Sequence, residues 1–107
     1  MHHHKRYLLL ELDSDSQDSN DWKTMYNRLV KTLGDLFGEF GLAQIELRNI
    51  KSKDNLIIVR CRRGMEHMVR CATLMLTSKN GQPVKARTLK VSGTLKCLKR
   101  FLNKDSI

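Results

Sequence analysis

Near the start of the chain Tyr7, Leu8, Leu9 and Leu10 run together, and Leu12 follows one position beyond Glu11. A strand with one solvated face alternates apolar and polar residues, so this nearly unbroken run predicts a central strand over residues 5–13 whose second face also needs a cover. The pattern then changes period. Trp22, Met25, Tyr26, Leu29, Leu33, Leu36, Phe37 and Phe40 recur at three and four, the stripe of a core-facing helix, with Ser19, Asn20 and Asp21 offering caps before it. Gly34, Gly38 and Gly41 bend or end that helix, and residues 42–51 read as a strand with Ala43, Ile45, Leu47 and Asn49 on one side. A tight turn over 52–55 leads to an apolar strand over 56–62. After Gly64 comes a helix with Met65, Met68, Val69, Ala72, Met75 and Leu76 along one face, a Met-rich stripe that reads as adaptable core. Asn80-Gly81 marks a turn before a last strand over 83–91, and Leu95, Leu98, Phe101 and Leu102 give a final helix its apolar stripe.

The predicted order, β-α-β-β-α-β with an additional C-terminal helix, suits an α+β fold. The expected architecture is a ferredoxin-like, RRM-like sandwich with helices on one face of an antiparallel sheet. At 107 residues the chain forms one domain over 5–107, with 1–4 expected as a disordered N-terminus or a tag remnant carrying His2, His3 and His4. Its apolar runs are far shorter than a membrane span and no leader precedes the first strand, so the expected setting is cytoplasmic with no membrane partner. Cys61, Cys71 and Cys97 are odd in number and include no C-x-x-C spacing, which argues against a disulfide framework or a zinc site. No metal site is expected in the protein.

Charge narrows the function. Lys and Arg number 20 against 11 Asp and Glu, a net charge of +9 and a pI near 9.8, and such an excess in a short chain favours a polyanionic partner. The excess is polarised. Beyond residue 84 Lys85, Arg87, Lys90, Lys96, Lys99, Arg100 and Lys104 face only Asp105, and Arg60, Arg62 and Arg63 close the third strand. The stretch 13–21 is acidic instead, with Asp13, Asp15, Asp18 and Asp21. One basic face is therefore expected rather than an evenly positive surface. Strand 56–62 holds neither Phe nor Tyr, which disfavours base stacking on the open sheet and leaves recognition of phosphate and folded RNA shape.

Ser92-Gly93-Thr94, between the last strand and the last helix, is the candidate anion site. Ser92 is expected to cap the helix, and Gly93 lets another backbone come close. Lys96 sits early in the helix, where the macrodipole disfavours a cation by about 0.3–1 kcal/mol, and a bound phosphate would reverse that penalty. A capped helix with a solvated basic face explains the same residues. The acids between 13 and 21 would have to form a divalent-metal site in an enzymatic reading, but no general base or nucleophile pairing accompanies them.

Three blocks, in order, carry a resemblance: Lys5-Arg6-Tyr7-Leu8-Leu9-Leu10-Glu11-Leu12; Ile57-Ile58-Val59-Arg60-Cys61-Arg62-Arg63; and Leu89-Lys90-Val91-Ser92-Gly93-Thr94-Leu95-Lys96-Cys97-Leu98-Lys99-Arg100-Phe101-Leu102. Together they resemble archaeal ribonuclease P protein component 2, the Pop-five/Rpp-fourteen family, with the last block the most specific. The resemblance implies an accessory subunit, non-catalytic alone, of the ribonucleoprotein that removes the 5′ leader from precursor tRNA. The RNA then performs the chemistry with Mg2+, and the protein binds no cofactor. Implied partners are the catalytic domain of ribonuclease P RNA and protein component 3 of the Rpp-thirty family, with a homodimer inside a larger assembly also open. Carried onto matching positions, Lys90, Ser92, Gly93, Thr94, Lys96, Lys99 and Arg100 become the first RNA-contacting set and Arg60, Arg62 and Arg63 the second. The apolar first strand and the open sheet face become candidate partner surfaces. Family members often have leaders or longer tails, whereas this chain starts almost at its first strand and stops soon after the basic helix. The alternative is an RNA-binding module of another ribonucleoprotein, for example one associated with the ribosome.

Overall fold

The computed structural model describes residues 4–14, 22–53, 55–76 and 84–104. Among these residues seven elements follow one another: β1 (Lys5–Ser14), α1 (Trp22–Ile45), β2 (Arg48–Lys53), β3 (Leu56–Arg62), α2 (Glu66–Leu76), β4 (Val84–Ser92) and α3 (Leu95–Lys104). The strands form one sheet in the order β2-β3-β1-β4, and every neighbouring pair is antiparallel. This is the α+β sandwich with a C-terminal helix that the sequence predicts. The caps at 19–21, the Asn80-Gly81 turn and all the acids at 15–21 lie outside the described residues.

The unbroken apolar run of β1 is explained by its central place. Leu8 and Leu10 face α1 and α2 in a core with Ile57, Val59 and Cys61 of β3, Met25, Leu29 and Leu33 of α1, and Val69, Ala72 and Leu76 of α2. Leu9 points the other way, into a second cluster with Leu56, Ile58 and Leu98. Leu98 belongs to α3, so that helix lies across the opposite face of the sheet, with Leu95 and Tyr7 packed at the margin. The expectation of helices on one face, with the other left open, is thereby corrected. Leu98 is fully buried, and burying a Leu side chain contributes about 1.5–3 kcal/mol, enough to explain why a basic helix docks on the sheet.

The first helix also differs from its prediction. It runs on to Ile45, beyond the expected end, while Gly38, at φ 76° and ψ 171°, gives it the bend that its glycines foreshadow. Residues 42–45, predicted as strand, are therefore helical, and β2 begins only at Arg48. Apolar residues at 42, 45 and 47 fit either period, so the pattern alone left the choice to tertiary packing, which buries Ile45 among the helices. Leu36 and Phe40, placed in the core stripe, are 41% and 78% exposed, and Met75 of α2 is 43% exposed. Thr32 and Thr73, the buried polar side chains of α1 and α2, each donate a 2.8 Å hydrogen bond to the carbonyl four residues earlier.

Candidate nucleic-acid interface

One rung of the sheet brings the two basic groups together. Arg48 on β2 opposes Arg60 on β3, Arg60 opposes Tyr7 on β1, and Tyr7 opposes Ser92 at the end of β4. The start of β1, the ends of β3 and β4 and the entries to α2 and α3 thus share one end of the sheet. Arg60, Arg62 and Arg63, read from sequence as a second set, lie at the same end as Ser92, Gly93 and Thr94. The Arg63 N–H donates to the His4 carbonyl at 2.7 Å, which ties the end of β3 to the start of the chain.

The capping geometry is displaced from the prediction. Ser92 Oγ accepts from the Thr94 N–H at 3.1 Å and lies 3.5 Å from the Thr94 hydroxyl. α3 begins at Leu95, so Thr94 stands immediately before the helix and Ser92 closes the turn that leads into it. Gly93 does accommodate a close neighbour, but the neighbour is a side chain of the same molecule. A Cβ at Gly93 would lie 2.6 Å from Nη1 of Arg6. The other side of that guanidinium faces Glu66, with Nε 3.6 Å from Oε2. Arg6 therefore adds a cation beside the entry to α3 that sequence reasoning missed. The only signal was its place at the head of the apolar run, where a charge reads equally well as a strand flank.

Lys96, Lys99 and Arg100 are exposed and stand three and four residues apart, on one face of α3, while Leu95 and Leu98 face the sheet. Lys90 is exposed near the end of β4. The exposed Cys97 thiol reports the local field: its pKa is lowered by hydrogen bonding to Thr94 and then Ser92, with the Lys90 and Arg100 charges adding to the effect. The buried Cys61 thiol shows the reverse, pushed up to about 11 by burial and by the Glu66 charge. On the β2 side Glu46 pairs with Lys5, and its carboxyl is held low by that hydrogen bond and charge, with Arg62 and Arg60 contributing further. Arg87 is engaged away from this end, with Nε 2.7 Å from Glu11 Oε1.

Among the described residues no group of three or more His, Cys, Asp and Glu side chains could hold a metal ion. No described helix is long and apolar enough to cross a membrane. What the arrangement offers is a surface for several phosphates: an exposed basic helix, a turn with its backbone N–H groups at the helix entry, and arginines from β1 and β3 around it.

A family model described as Rpp14/Pop5 matches residues 6–103. The chain is 32% identical over 96 residues to ribonuclease P protein component 2 of Methanosphaerula palustris, covering 90% of this chain and 59% of that protein. It is 32% identical over 85 residues to the same-named protein of Methanocorpusculum labreanum, covering 79% and 58%. The chain thus spans somewhat under two thirds of those relatives. With the Pyrococcus horikoshii protein of that name it shares 36% identity over 102 residues, 92% of this chain and 83% of the other. A chain in the solved structure of yeast ribonuclease MRP superposes with a TM-score of 0.65 at 19% identity, covering 99% of this chain and 94% of that one, a likeness of fold.

Proposed function

The chain belongs to the Rpp14/Pop5 family, and from that premise we propose that it is a protein subunit of ribonuclease P, supporting the catalytic RNA in 5′ maturation of precursor tRNA. Its contribution is charge neutralisation. Lys96, Lys99 and Arg100, with Lys90 and the Ser92-Gly93-Thr94 turn, hold phosphates that the folded RNA brings close together, and Arg60, Arg62 and Arg63 extend the contact across the sheet end. By supplying fixed cations the protein lowers the Mg2+ needed to fold the catalytic domain, while the bond cleavage itself belongs to the RNA. The observation that carries this reading is the rung Arg48–Arg60–Tyr7–Ser92, which gathers two separate basic segments into one surface.

The subunit works together with protein component 3, in the cytoplasm, and pairs with a second copy of itself within a larger assembly. α3 occupies the middle of the sheet face once expected to be open, so the component 3 surface must lie elsewhere or include α3 itself. The direct test is filter binding of ribonuclease P RNA and of an unrelated structured RNA at about 150 mM salt. Preferential binding of the ribonuclease P RNA with a steep salt dependence is expected. Equal, weak binding to both RNAs would overturn the proposal.

A further inference from the structure

Between α1 and the start of β2, reached also by Lys5 of β1 and Arg60 of β3, lies a groove of about 890 Å³, within the range of roughly 300–1,000 Å³ typical of small-molecule sites. Val30, Leu42 and Leu47 give it apolar walls, while Lys5, Arg48 and Arg60 bring cations to it and Glu46, among the described residues, the only acid. Two of the lining residues carry an unmet polar atom: Asn49 Oδ1 and Arg60 Nε are buried with no hydrogen-bond partner among the described residues. A buried acceptor or donor left unpaired costs about 1–3 kcal/mol, so each of these atoms calls for a partner. The terminal torsion of Asn49 is soft, so a small rotation of its amide can turn Oδ1 toward a ligand in the groove. Tyr26 lines the same space with a hydroxyl that can donate or accept.

Apolar walls with an aromatic ring, a side-chain amide acceptor, a hydroxyl donor and cations at the rim are together the recognition chemistry of a nucleotide. The groove also adjoins the basic end already described, because Arg48 and Arg60 belong to the rung that ends at Ser92. We propose that this groove holds one unstacked nucleotide of the bound RNA, its base against Tyr26 and Asn49 and its phosphate on Arg48 and Arg60. The inference rests on the RNA-binding reading and adds a site that base edges enter, where α3 contacts only phosphate.

The full chain carrying Tyr26→Phe and Asn49→Ala tests it. Both positions are uncharged, so affinity for ribonuclease P RNA should fall by roughly 5- to 50-fold, from two lost hydrogen bonds, while the salt slope stays unchanged. Nuclear magnetic resonance titration of the unaltered protein with AMP, CMP, GMP and UMP should shift the Asn49 amide more than inorganic phosphate does. Equal shifts with inorganic phosphate would reduce the groove to an anion site and overturn the proposal. Shifts with mononucleotides but full RNA affinity in the double variant would make it a free-nucleotide site, which also overturns it. If the double variant binds RNA normally while Lys96/Lys99/Arg100→Ala does not, the groove inference fails and the RNA-binding reading stands; if neither changes binding, that reading has failed.

Discussion

Replacing Lys96, Lys99 and Arg100 together by Ala removes the exposed basic face of α3 and little else. Among the described residues none of the three has an ion-pair partner, and their neighbours Leu95 and Leu98 keep the helix on the sheet. Folding stability should therefore stay within about 0.5 kcal/mol of the original, read as an unchanged urea midpoint. Each lost phosphate contact lowers the slope of log affinity against log salt by roughly 0.7–0.9, so the slope should fall by about 2–3. Over a fourfold rise in salt, from about 50 to 200 mM, the altered protein should then lose roughly 20- to 40-fold less affinity than the original. Filter binding of ribonuclease P RNA at five or six salt concentrations gives the slope directly. Lys31/Lys51/Arg70→Ala is the matched control, since it takes the same charge from α1, β2 and α2. If the control lowers the slope as much as the α3 variant, affinity follows net charge and the assigned surface is wrong.

Leu98→Ala should cost about 2–5 kcal/mol, because its side chain is wholly buried between α3 and the sheet, and a urea midpoint unchanged from the original would contradict that packing. Gly38→Ala forces a side chain into backbone geometry that only glycine adopts readily and should cost about 1–3 kcal/mol, checked by the same denaturation. Thiol labelling near pH 7.5 should modify Cys97 early, its pKa being lowered in an exposed position, and leave Cys61 intact until the protein unfolds; simultaneous labelling would refute the contrast. The raised Cys61 pKa also has a sign: above about pH 9 the unfolded chain gives up that proton while the folded protein holds it to about pH 11, so stability declines across that window. Substituting Cys61 by Val should flatten that part of a pH–stability curve.

β1 shows how far a one-dimensional pattern reaches. Its unbroken apolar run demanded cover on both faces, and both covers exist, but which helix supplies the second was not written in the run itself. The stripe of α3 shows that it buries a face; only the tertiary arrangement shows that the face meets Leu9 and Ile58 across the sheet from α1 and α2. The same limit explains Arg6. Its contact with Gly93 joins residues 87 positions apart, and local propensity has no access to a pairing of that kind. The kink at Gly38 was within reach as a bend, whereas the helical continuation to Ile45 depended on packing against the first core. For the interface, charge placement along the chain identified both basic segments, and the strand register supplied their convergence. The groove beside β2 escaped notice because Tyr26, Asn49 and Arg60 lie on three elements and share no motif.

The central claim is tested most directly by cleavage of precursor tRNA by ribonuclease P RNA at limiting Mg2+, with this protein and a component 3 protein of the same organism added separately and together. Strong activation by the pair, reduced when Lys96, Lys99 and Arg100 are replaced, is the predicted result. Absence of activation with all components folded would contradict the account and point to an RNA-binding module of another ribonucleoprotein.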